Sequence, residues 1–63
     1  MQISLRAARV NANMTQDEVA KNLHKSKQTI VNWENRRTKI DGANFSALCE
    51  LYKVGKDYIF LGY

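Results

Sequence analysis

Sixty-three residues, 44% of them hydrophobic and 25% charged, suit one small soluble globular domain and argue against disorder. A core this small leaves no room for a deep, enclosed active site. Ten basic against six acidic residues give a net charge of +4, and the placement of that excess matters more than its size.

Periodic apolar positions predict helices throughout, and no run alternates for long enough to suggest a strand. A first helix is expected over residues 2–11, with Leu5 and Ala8 on one face. A second starts at Thr15, whose hydroxyl is a good N-cap, and Glu18 three residues on completes a capping-box spacing. Asp17 and Glu18 sit in its first turn, where the helix dipole favours negative charge. Val19, Ala20 and Leu23 line its inner face. Ser26 caps a third helix reaching about Asn35, with Ile30 and Trp33 inward. Asp41 caps a fourth that ends near Tyr52, with Phe45, Leu48, Cys49 and Tyr52 at the spacing of one helix face. A short fifth over residues 56–61 would present Ile59 and Phe60. The expected fold is therefore all-α, a single domain over residues 1–63.

Several functions are disfavoured at once. The apolar stretch Tyr58-Ile59-Phe60-Leu61 is far short of the roughly 20 residues of a membrane-spanning helix. The start, Met1-Gln2-Ile3-Ser4-Leu5-Arg6, lacks the apolar segment of a secretion signal. The single cysteine, Cys49, allows neither an internal disulfide nor a cysteine zinc site, and a reducing cytoplasmic setting is the simplest expectation. No nucleophile elbow, phosphate loop or His/Cys cluster is present, and Asp17-Glu18 is accounted for by helix capping, so no enzyme, cofactor, metal or small-molecule substrate is expected. His24 reads as a turn residue and Cys49 as a buried apolar group.

The positive charge is concentrated. Residues 25–39 hold Lys25, Lys27, Arg36, Arg37 and Lys39 against Glu34 alone, whereas the segments on either side are close to neutral. A localised basic window favours a polyanion, because each phosphate neutralised releases counterions. The same window contains the second of two helices joined by a short turn, the helix-turn-helix arrangement of about residues 15–35. With Ile30 and Trp33 inward, Lys27, Gln28, Val31, Asn32 and Asn35 point outward or flank. Amides can bond adenine bidentately, lysine can bond guanine, and valine can touch a thymine methyl.

The stretch Met14-Thr15-Gln16-Asp17-Glu18-Val19-Ala20-Lys21-Asn22-Leu23, followed by Ser26-Lys27-Gln28-Thr29-Ile30-Val31-Asn32-Trp33-Glu34-Asn35, resembles the Cro/CI-type (XRE) phage-repressor helix-turn-helix family. The similarity runs from Leu5 to about Phe60. It implies a compact five-helix, lambda-repressor-like DNA-binding domain, and a cytoplasmic repressor, bacterial or phage-encoded, bound as a homodimer to double-stranded DNA. It further implies that Lys27, Gln28, Thr29 and Asn32 reach base edges. Gln16, Asn35, Arg36, Arg37 and Lys39 would meet phosphates, and Arg9 and Glu34 would form a structural ion pair.

The chain also departs from the family pattern. His24 stands where the turn usually has glycine, and Lys25 where an apolar residue is usual. Arg36 stands where glycine often follows the third helix, which points to Asn35 as the left-handed residue there. Tail residues Phe60, Leu61 and Tyr63 would either meet a second copy or pack on helix four. The competing function is a protein-interaction module of the same fold, such as an antitoxin or a regulator-binding domain.

Overall fold

The computed structural model describes residues 2–61, which form four α-helices and one 3₁₀ turn. They are α1 (Leu5–Asn11), α2 (Gln16–Leu23), α3 (Lys27–Glu34), α4 (Gly42–Tyr52) and the turn Lys56–Tyr58. Each α-helix begins at a side-chain cap. The Ser4 hydroxyl accepts from the Ala7 amide at 3.0 Å, and the Asp41 carboxylate accepts from the Asn44 amide at 2.8 Å. At α2 the box is reciprocal: Thr15 Oγ1 accepts from the Glu18 amide at 3.1 Å, while the Thr15 amide donates to Glu18 Oε1 at 2.8 Å. Ser26 Oγ accepts from the Thr29 amide at 3.2 Å and opens α3.

Two ends differ from the expected pattern, for one shared reason. The helix expected over residues 2–11 starts only at Leu5, and the helix expected over residues 56–61 is a single 3₁₀ turn. Ile3 and Ile59 instead form an isolated parallel bridge. The Ile3 amide donates to the Tyr58 carbonyl at 2.9 Å, and the Phe60 amide donates to the Ile3 carbonyl at 2.8 Å. Both bridged residues are β-branched and favour extended backbone, and Ile59 gains burial there. The five-helix count is thus corrected to four helices and a turn. Phe60, expected either to meet a second copy or to pack on helix four, is 51% exposed.

The core joins all four helices through Leu5, Ala8, Val19, Ala20, Ile30, Trp33, Leu48, Cys49 and Tyr52. Ile40 also enters it from the loop before α4, a position that helical periodicity could not reveal. Leu23 and Phe45 pack against this core and are only partly buried. The central layer is α3, which packs on both α1 and α2 and thereby fixes the helix-turn-helix.

All four α-helices end in the same way. A residue just past each end takes the left-handed conformation: Asn13 (φ 59°), His24 (φ 56°), Arg36 (φ 60°) and Lys53 (φ 59°). In each case the next amide reaches back to close the helix, as when Lys25 donates to the Ala20 carbonyl at 2.9 Å and Arg37 to the Asn32 carbonyl at 2.9 Å. None of these positions carries glycine, although a side chain there costs roughly 1–2 kcal/mol. The left-handed residue after α3 is therefore Arg36 and not Asn35, which has φ −89°. Asn35 instead continues the helical hydrogen bonding, donating its amide to the Val31 carbonyl at 2.9 Å, and this moves the reversal one residue on.

Candidate nucleic-acid interface

The two sides of α3 differ chemically because its sequence does. Ile30 and Trp33 are 1% and 6% exposed and hold the helix against α1 and α2. Lys27 and Gln28 are exposed on the other side, and Asn32 and Thr29 are half-buried beside them. Gln28 Nε2 donates to Asn32 Oδ1 at 3.0 Å, one helical turn apart. Thr29 Oγ1 lies 3.0 Å from Ser26 Oγ, so this hydroxyl helps to close the helix start. Val31 is half-buried.

A second polar cluster sits at the other end of α3. Arg9 Nε donates to Glu34 Oε2 at 2.7 Å, and Arg9 Nη2 donates to Glu34 Oε1 at 3.4 Å. These side chains are only 11% and 5% exposed, so the pair is largely withdrawn from water. Arg9 Nη1 also donates to the Met14 carbonyl at 2.9 Å. Gln16 Nε2 donates to Glu34 Oε1 at 3.0 Å. One carboxylate thus joins α1, the start of α2 and the end of α3. Gln16 is turned into this cluster, with one N–H committed to Glu34. Burial raises the Tyr52 hydroxyl pKa, the nearby Glu34 charge raises it further, and Arg9 partly offsets both.

The loop after α3 brings Asn35, Arg36 and Arg37 to the surface together with Lys39. Arg36 lies over the Phe60 ring, 5.5 Å from its centroid. That contact spans the chain from the loop to its last described segment, and nothing in the spacing of residues announced it. The same is true of the Met14 carbonyl. Lys25, Lys27, Arg36 and Arg37 have no carboxylate within ion-pair distance among the described residues. Their charge therefore remains available at the surface, within the sequence window that also holds the amide face.

Burial raises the Cys49 thiol pKa, with Lys56 opposing, which keeps Cys49 a neutral core group. No helix among the described residues is long and apolar enough to cross a membrane.

A capped pair of short helices, the second fixed by its apolar side and exposing amides and lysine on the other, defines a nucleic-acid-binding class of domain. The helix-turn-helix family model matches residues 5–59, and the chain belongs to that family, an XRE-type DNA-binding regulatory family that is generally non-enzymatic. No significant match was found to a curated protein or to a solved structure.

Proposed function

We propose that this chain is a sequence-specific, double-stranded-DNA-binding transcriptional regulator, a repressor that places α3 in the major groove of a two-fold operator. The observation that carries the reading is the division of α3, in which Ile30 and Trp33 are buried while Lys27 and Gln28 are exposed with Asn32 beside them. Lys27, Gln28, Thr29 and Asn32 would read base edges. Asn35, Arg36, Arg37 and Lys39 would grip phosphates, and the second N–H of Gln16 would serve the same backbone. Arg9 and Glu34 hold the frame.

The mechanism is occlusion of a promoter, without chemistry. A homodimer would read half-sites about 34 Å apart, one turn of the duplex. Tyr58 and Phe60, 47% and 51% exposed, supply apolar area that a second copy could cover. Tyr63, expected to join them, lies outside the described residues. The setting is the cytoplasm of a bacterium, with either the bacterium or a phage encoding the chain.

The test is a titration against duplexes selected from a random pool, repeated over a range of salt. Alanine at Lys27, Gln28 or Asn32 is expected to lose on the order of 1–3 kcal/mol on the preferred site while non-specific binding persists. Arg37→Ala is expected to weaken every duplex and flatten the salt slope by about one unit. Absence of duplex binding even at low salt would transfer the chain to the protein-interaction reading.

A further inference from the structure

We infer that Gln28 and Asn32 read DNA as one coupled unit, in which Gln28 fixes the Asn32 amide so that Asn32 demands a hydrogen-bond acceptor on the base it meets. The inference rests on the DNA-binding reading above and adds a rule for what is recognised.

An asparagine amide on an exposed helix is ambivalent. Rotated by half a turn, it exchanges its donor end for its acceptor end, and either can face a base edge. Here the two amides choose together, because whichever end of Asn32 turns to Gln28 must meet its complement. Gln28 Nε2 donates to Asn32 Oδ1 at 3.0 Å, which draws the carbonyl end back toward the start of α3. The opposite end, Nδ2 with two N–H donors, makes no hydrogen bond within the described residues. Reversing Asn32 would put its Nδ2 against the Gln28 donor, two N–H groups facing each other. The reversed state is open only if Gln28 reverses as well.

The free groups of the pair follow from this bond. Gln28 keeps its Oε1 acceptor and a second N–H, the combination that adenine answers with its amino group and N7. Asn32 offers donors, which suit purine N7, guanine O6 or thymine O4 and are refused by the cytosine amino group. The half-buried position of Asn32 limits the other rotamers it could use. Lys27 lies outside this bond, so its preference should be independent of the pair.

The experiment compares base-by-base preference matrices, obtained by selection from a random duplex pool, for the wild-type chain and two variants. Gln28→Leu keeps the side-chain bulk but removes the fixing donor. It is expected to relax preference at two adjacent base pairs, because the freed Asn32 can then turn either end outward. Asn32→Asp still accepts from Gln28 but replaces the outward donor by an acceptor. It is expected to move preference at the Asn32 base pair toward a base with an outward amino group, cytosine or adenine. The change should be on the order of ten- to a hundred-fold, beneath a general weakening from the added negative charge.

Circular dichroism melts of both variants check that the substitutions leave the fold intact. Relaxation at a single base pair in Gln28→Leu, with the second preference unchanged, would show two independent readers and overturn the inference. So would an Asn32→Asp matrix that keeps its acceptor preference. A wild-type chain that binds duplexes with no sequence preference would instead remove the reading on which the inference stands.

Discussion

Each end of α3 carries a polar cluster that includes a side-chain amide, and the two serve opposite purposes. At the far end, Gln16 and Arg9 converge on Glu34, whose side chain is 5% exposed. At the near end, the Gln28 and Asn32 side chains bond to each other at the surface. The first cluster spans three helices, so its loss is felt by the fold. The second lies within one turn of one helix, so its loss is felt by whatever docks there. Residue type does not separate these roles. The number of elements that a side chain ties together, and the water it has given up, does.

Breaking the far cluster should have the largest effect. Glu34→Ala leaves the Arg9 guanidinium nearly buried beside no carboxylate, and losing one partner of such a pair costs about 3–5 kcal/mol. A domain of this size has little more stability than that to lose, so the variant should be largely unfolded in a thermal melt followed by circular dichroism. The double variant Arg9→Met/Glu34→Leu should recover much of the loss, because no unpaired charge then remains. Equal instability of the single and double variants would mean that the contact is packing alone.

Tyr52 sharpens the same comparison from the alkaline side. Its pKa is raised by burial and by Glu34, so the native state holds the phenolic proton more tightly than the unfolded chain does. The stabilisation is complete below the unfolded value of about 10 and is lost as pH rises beyond it toward the native value. Unfolding free energy should therefore decline with pH above about 10, and Tyr52→Phe should flatten that decline. An unchanged slope in Tyr52→Phe would assign it to other groups.

Much of this frame could be read in the chain itself. Ser26, Thr15 with Glu18, and Asp41 announced three helix starts because capping is chemistry between near neighbours. The inward faces of α2 to α4 followed from helical spacing for the same reason. What escaped was decided by partners distant in sequence. The Ile3–Ile59 bridge set both chain ends, and Ile40 is core only because the loop folds back. The exposed side of α3 was legible as a set of residues, but the Gln28–Asn32 bond that orders them required coordinates. Gln16 was expected to face a phosphate, and its bond to Glu34 could not be seen without knowing how α2 meets α3.

The helix ends offer a further contrast, since the fold accepts side chains where glycine would relieve strain. His24, at φ 56°, is exposed and joins the two helices of the motif. His24→Gly should raise stability by about 1 kcal/mol, the steric relief being partly offset by the greater freedom of glycine in the unfolded chain. Chemical denaturation with an unchanged m-value would check this. Destabilisation by glycine would show that the imidazole contributes more than its backbone strain costs.

Arg36 belongs to neither cluster, and its allegiance can be measured. Its place in the basic window groups it with Arg37 and Lys39, yet its guanidinium lies over the Phe60 ring. An exposed cation–π contact contributes about 0.5 kcal/mol, too little to hold the side chain against a charge-assisted bond to phosphate. On the proposed reading, the ring would position Arg36 in the free domain and release it on DNA. Phe60→Leu should cost about 0.5 kcal/mol of stability in the wild-type background and nothing beyond its packing loss once Arg36→Gln is present. The salt slope of duplex binding should fall in Arg36→Gln and stay the same in Phe60→Leu. If Arg36→Gln leaves the slope untouched, the guanidinium stays on the ring in the complex, and the phosphate-facing set begins at Arg37.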